Sequence, residues 1–214
     1  MKVGAGYAEN GYALVEGLIA EEVAQVFLRG IKDDLFRGAI PLTPRHPRVL
    51  KRPALEIYGG SYLPLQFFLL GLTPLASSIT GRDLLPTYNY FRLYRQGDVC
   101  RVHADRHACE HSMSLTLAYS DGEPWDLQVG RNSNPEPTRD VADDFGGEAF
   151  ASLIMRPGDA VLYQGVGHRH GRTAPNPNRW SAHLFLHWID REGPHRDQAF
   201  DGSPPDKPVD FTFT

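Results

Sequence analysis

The spacing of hydrophobic positions changes along the chain. Near the start, residues 12–15 read as a short strand. Leu18, Val23, Phe27, Ile31 and Leu35 then recur at helical spacing. Glu21 and Glu22 fall in the first turn of that helix, where its dipole favours acids. Residues 37–53 hold four prolines and keep no period, so they read as a loop. A second apolar helical segment follows at 63–79, expected to be interrupted at Pro74 and to stop near Gly81. After Pro86, short runs rich in β-branched and aromatic residues alternate with turn clusters. These predict strands at 87–94, 99–104, 112–119, 125–129, 149–155, 160–163, 168–173 and 179–188, with a polar insertion at 130–147. Helices followed by strands predict a mainly β, α+β domain: a sandwich or barrel with helices buttressing one face. No internal repeat is present.

Composition narrows the classes. The chain has 214 residues, 41% hydrophobic and 22% charged, which fits one globular domain and excludes disorder and fibres. Its 21 Gly and 17 Pro mean many turns and favour short strands over a helical bundle. A formal charge of −4 provides no positive field for nucleic acid. The opening residues show no apolar core of a signal peptide, and the apolar run 63–75 is broken by Pro64, Gln66 and Pro74, so no membrane span is expected. Cys100 and Cys109 cannot form a disulfide framework and read as reduced thiols of a cytoplasmic protein. Nine histidines in so short a chain direct attention to metal chemistry.

His103 and Asp105 lie two apart at the end of a predicted strand, and residues i and i+2 of a strand point to one side. A second histidine from a distant strand would complete two imidazoles and one carboxylate, the facial set that suits non-haem Fe(II) and leaves positions open opposite. His168 and His170 both qualify.

The chain here resembles the Fe(II)/2-oxoglutarate-dependent oxygenases, particularly their prolyl-hydroxylase-like branch. Tyr94, Gly97, His103 and Asp105 meet the pattern YxxGxxxxxHxD, and Gly146-Gly147-Glu148 is similar to a GGE segment between the two metal-ligand motifs. Residues 103–117 resemble the HxDRxxCExS segment of a bacterial and phage group, whose GDxxxYxG, HWR and VFLHYVD segments are similar to GDAVLYQG, HGR and HLFLHWID. The match of HGR to HWR selects His170 over His168, with Gly171 departing from the group's tryptophan. The resemblance implies a double-stranded β-helix (jelly roll, cupin-like) core over 84–193, a supporting region over 1–83 and a loosely attached tail over 194–214. It implies Fe(II) on His103, Asp105 and His170, with 2-oxoglutarate and O₂ as co-substrates. The distal carboxylate of 2-oxoglutarate is expected on Arg179 first and Arg172 second, because His170 is followed nine residues later by Arg179. Tyr94 is expected to add a hydroxyl, and Arg92 to reach the proximal carboxylate or the substrate.

Other residues have plainer readings. His183 and His187 share a strand face and read as packing residues, His107 and His111 as unliganded, and Glu110 as a candidate partner of a ligand histidine. His103, Asp105, His107, Cys109 and His111 alternate strictly, but a single strand would spread them too far for a closed zinc site. A cupin-like metal-binding module or isomerase without 2-oxoglutarate turnover is the alternative; Gly97 and His103 fit its opening motif, whereas Asp105 stands where histidine is expected. The substrate is expected to be a peptide, amino acid or small metabolite. Loops 37–60 and 130–147 would shape its pocket, and the oligomeric state is left open.

Overall fold

Residues 1–4, 6–40, 43–134, 136 and 140–202 are described by a computed structural model. Among them the alternating segments form twelve strands: β1 (Lys2–Val3), β2 (Tyr12–Glu16), β3 (Thr43–Arg45), β4 (Ala54–Tyr58), β5 (Leu84–Arg95), β6 (Cys100–His103), β7 (His111–Tyr119), β8 (Leu127–Ser133), β9 (Phe150–Leu153), β10 (Ala160–Tyr163), β11 (His168–Arg172) and β12 (Trp180–Asp190). Three α-helices precede β5: α1 (Tyr7–Asn10), α2 (Glu21–Phe36) and α3 (Leu63–Thr80).

The strands pair antiparallel in two sheets. An eight-stranded sheet runs β1-β2-β10-β7-β12-β5-β4-β3, and a four-stranded sheet runs β6-β11-β8-β9. This is the double-stranded β-helix expected from the sequence. All eight expected strands exist, with ends shifted by a few residues. The N-terminal region does more than buttress: β1 and β2 extend one edge of the large sheet and β3 and β4 the other. β3 lies inside the stretch read as a loop, where prolines hid a short edge strand.

The period-two pattern divides the large sheet into two faces. Met113, Leu115 and Leu117 of β7, with Ala182, Leu184, Leu186 and Trp188 of β12, pack outward in one core with Ile31 of α2 and Leu65, Leu69 and Ala76 of α3. The intervening residues face the barrel interior. There Tyr94, Trp125 and Phe185 gather at one end, and Val129, Met155 and Tyr163 at the other.

α3 has the expected ends but not the expected interruption. It runs unbroken through Pro74, whose side chain and that of Leu70, four residues earlier, both face solvent, so water can reach the carbonyl that loses its partner. It ends at Gly81, which takes the left-handed φ of 68°. With 18 residues and mean hydropathy 1.4 it has the length and composition of a membrane span, yet one face is seated on the sheet. The tail is also more attached than expected over its described part: His195 stacks on His107 at 4.1 Å, and Asp201 pairs with Arg106 at 2.7 Å. Residues 203–214 lie outside the described residues.

Candidate metal centre and the barrel interior

Antiparallel pairing of β6 with β11 sets His103 directly opposite His170. Asp105 follows β6, and its backbone N–H donates to the Gly165 carbonyl at 2.8 Å, tying the β6 end to the turn before β11. Donor atoms of His103, Asp105 and His170 thereby come within 4.8 Å of one another. Each carboxylate oxygen faces one imidazole: Oδ1 lies 3.6 Å from His103 Nε2, and Oδ2 lies 3.6 Å from His170 Nε2.

The far side of each ring is anchored. His103 Nδ1 sits 2.7 Å from the Arg101 carbonyl, and His170 Nδ1 sits 3.0 Å from the His168 carbonyl. A carbonyl only accepts, so each Nδ1 donates its proton there, which leaves each Nε2 aimed at Asp105 as the atom a metal would take. Burial, and then His170 beside it, lowers the pKa of His103, which favours the neutral form that binds metal. Burial alone would raise the Asp105 carboxyl, but His170 and His103 hold it well below the usual carboxylate range. Two neutral nitrogens and one ionised oxygen on one side are a donor set fitted to a divalent transition metal.

His168 is not part of this group. It is buried against Gly11, with Nδ1 2.8 Å from the Gly130 carbonyl; a Cβ at residue 11 would come within 2.2 Å of the imidazole. Gly171 explains the departure from the group's tryptophan. It lies where the β6–β11 register shifts, and a Cβ there would meet the Cys100 carbonyl at 2.8 Å.

The arginines separate sharply. Arg179, expected first for the distal carboxylate, has a side chain 71% exposed and paired with Asp121 at 3.0 Å. It stands just before β12, which begins at Trp180. Arg172 is 1% exposed and points into the interior. Its guanidinium lies over Trp125 at 5.2 Å, reaches Ser114 Oγ at 3.3 Å, and meets no carboxylate of the described residues. Arg92 is buried too, but its charge is matched by Glu56 at 2.6 Å. Arg92 also donates to the Tyr94 hydroxyl at 3.0 Å, and burial raises the Tyr94 pKa, so that phenol stays protonated. The interior thus holds one neutralised guanidinium and one stacked on an indole without a counter-charge.

The remaining candidates have structural partners. A 3-10 turn at His107–Cys109 breaks the alternation that would have lined up five zinc ligands. Glu110 accepts from the Asp190 backbone N–H at 2.9 Å and touches no ligand histidine. His111, Glu110 and Asp190 also approach one another. The only partner of the buried Tyr7 hydroxyl among the described residues is His111 Nδ1, at 2.6 Å. The phenol therefore donates, and the proton of His111 sits on Nε2, facing Asp190 at 3.4 Å, where a metal would need a lone pair. His183 and His187 are buried inside the barrel, and burial lowers both pKa values, that of His187 to about 4. Sequence reasoning missed Glu56 as part of this interior and Gly165 as the support of Asp105. Glu56 lies on a strand that was not foreseen, and contacts between strands carry no local signal.

No protein-family model matches the chain, and no curated protein matches it in sequence. Solved structures do. The chain is similar to SnoK, a non-heme α-ketoglutarate-dependent carbocyclase from nogalamycin biosynthesis, at 13% identity, covering 94% of this chain and 92% of that one with a TM-score of 0.67. A Pseudomonas putida prolyl-4-hydroxylase matches at 14% identity, 85% and 94% coverage and a TM-score of 0.58. HygX from Streptomyces hygroscopicus, with nickel, 2-oxoglutarate and hygromycin B bound, matches at 11% identity, 87% and 85% coverage and a TM-score of 0.64. The chain shares with these proteins the double-stranded β-helix fold.

Proposed function

We propose that the protein is an Fe(II)- and 2-oxoglutarate-dependent oxygenase of hydroxylase type. The carrying observation is the joint presence of the His103–Asp105–His170 donor set and the buried, uncompensated Arg172 guanidinium on one barrel interior. A buried cation without a counter-charge is costly, and a dicarboxylate bound beside the metal would supply one.

His103, Asp105 and His170 would hold the metal from one side. Iron, when bound with 2-oxoglutarate and O₂, supplies oxidation of a substrate C–H bond coupled to decarboxylation of 2-oxoglutarate to succinate and CO₂. The chain's part is placement. Arg172 presents its planar guanidinium to the distal carboxylate, held in orientation by Trp125 and Ser114. Tyr94 is oriented by Arg92, and Arg92 is fixed by Glu56, so this pair shapes the inner pocket without adding net charge. His103 and Asp105 keep 14% and 17% of their side chains accessible, so substrate would approach from that side. The similar folds include SnoK from nogalamycin biosynthesis and HygX with hygromycin B bound, which favours a small-molecule substrate. Two free buried thiols suit a cytoplasmic setting.

Anaerobic addition of Fe(II) and then 2-oxoglutarate tests the proposal. The weak visible charge-transfer band of the chelate, and succinate on admission of air, are expected in the wild type and absent in His170→Ala. Iron binding without the band or succinate would instead favour a metal-binding module of cupin type.

A further inference from the structure

The segment 103–112 carries more than two metal ligands. Its Cys109 thiol meets the Tyr88 hydroxyl at 3.2 Å, and Arg106 lies over the Tyr88 ring at 4.5 Å, so these two brace the turn after Asp105. Glu110 ties that turn to β12. Ser112 is different, because it touches the ligand itself.

Ser112 Oγ lies 3.1 Å from Asp105 Oδ2, 3.3 Å from the Cys109 carbonyl and 2.9 Å from His187 Nδ1. The hydroxyl has one proton to give. Two of its three neighbours are pure acceptors, and the nearer of these is the ionised one, where a hydrogen bond is strongest. Giving the proton to His187 would set serine lone pairs against a carboxylate and a carbonyl at once. The Ser112 O–H therefore donates to Asp105, and His187 Nδ1–H donates to Ser112. His187 is held for this by stacking on Tyr88 at 4.5 Å, and its Nε2 has no partner among the described residues. Gly165 packs against the same carboxylate oxygen: a Cβ there would lie 2.5 Å from Asp105 Oδ2 and 2.6 Å from Ser112 Oγ.

We propose that Ser112, oriented by His187, is a positioning residue that clamps Oδ2 of Asp105 and leaves Oδ1 as the carboxylate's metal donor. The proposal rests on the reading of His103, Asp105 and His170 as a metal site. A serine that merely filled a polar niche would affect folding alone; one that aims a ligand also sets affinity and ligand field.

Cobalt(II), titrated into the metal-free full-length chain and followed by visible absorption, separates the cases. Ser112→Ala should bind roughly tenfold or more weaker than wild type, with a shifted absorption band, while its circular dichroism is unchanged. His187→Phe keeps the ring and removes the donor, and should show a smaller loss with a band shift in the same direction. The double variant should be no weaker than Ser112→Ala alone, within about twofold, because His187 acts through Ser112. Wild-type affinity and band in a folded Ser112→Ala would overturn the proposal, as would losses that multiply in the double variant. Should Ser112→Ala fail to fold, an unchanged band in His187→Phe overturns it. Wild type that takes up no cobalt would refute the metal reading, and the proposal with it.

Discussion

The two faces of β5, β7 and β12 differ as much as two proteins. Outward, β7 gives Met113, Leu115 and Leu117, and β12 gives Ala182, Leu184, Leu186 and Trp188, all against the helices. Inward, one residue away each time, β7 gives Ser112, Ser114 and Thr116, and β12 gives Ser181, His183, Phe185 and His187. Both faces are buried, yet one is apolar and the other carries hydroxyls, imidazoles and aromatic rings. Fold stability and chemistry are interleaved residue by residue on the same strands. A register slip of one position would exchange them, so the outer face pins the register that the inner face needs.

The strongest way to break this comparison is at the inner rim. Asp105→Ala or His170→Ala should abolish metal-dependent 2-oxoglutarate turnover, a loss of orders of magnitude, while far-UV circular dichroism is retained. Removing the partly charged triad from a metal-free barrel exposes no apolar core, so stability should change little. Substantial turnover by either variant would show that the inner face is not where the chemistry lies. The outer face predicts the converse. Leu184→Ala should lower unfolding free energy by about 2–5 kcal/mol, measured by urea denaturation, while cobalt affinity of the folded fraction stays near wild type.

The two interior arginines sharpen the contrast within the inner face itself. Arg172→Met removes a buried cation that lacks a counter-charge, so the metal-free protein should be as stable as wild type or more so. It should nevertheless lose the thermal stabilisation that 2-oxoglutarate gives the metal-loaded wild type. Arg92→Met strands Glu56 as a buried, unpaired acid and should cost about 3–5 kcal/mol. Arg179→Ala, out on the surface with Asp121, should leave 2-oxoglutarate affinity unchanged. Thermal melts with and without 2-oxoglutarate check all three, and a large loss of 2-oxoglutarate stabilisation in Arg179→Ala would reinstate the spacing argument from His170.

Local pattern made some of this legible and topology withheld the rest. Alternation and turn clusters located the strands from 87 onward because period two is written in adjacent residues. His103 and Asp105 were readable for the same reason, since both lie on one short segment. His170 needed a resemblance to choose it over His168, because two histidines two apart share a face by spacing; a register shift and the bare backbone of Gly11 separate them in space. Spacing favoured Arg179, nine residues after His170, over Arg172. Only burial in the folded chain shows that Arg172 is interior and Arg179 exposed. β3 and β4 were missed because their strand character comes from pairing, β4 onto β5 and β3 onto β4, rather than from their own sequence.

The smallest expected effect concerns pH and again separates the faces. His183 lies inside the barrel among Tyr94, Tyr119, Trp125 and Phe185, with Thr116 Oγ1 3.3 Å from its Nδ1. Burial, then the charges of Arg172 and Arg92, pushes its pKa well below the ordinary value. His187 is pushed down to about 4, chiefly by burial. A folded pKa below the unfolded one means that the unfolded chain binds the extra proton first. The stability these histidines contribute is therefore complete above about pH 6.5, the unfolded value, and is lost as pH falls toward the folded one. Urea midpoints of the metal-free protein should fall between pH 7 and pH 5. His183→Phe should flatten that slope, because it removes one of the groups that titrate only on unfolding, whereas Leu184→Ala, its neighbour on the outward face, should lower every midpoint and leave the slope as it was. Equal slopes in wild type and His183→Phe would mean that water reaches the inner face well enough to charge the imidazole, and the polar side of the sheet would then be a solvated channel rather than a packed interior.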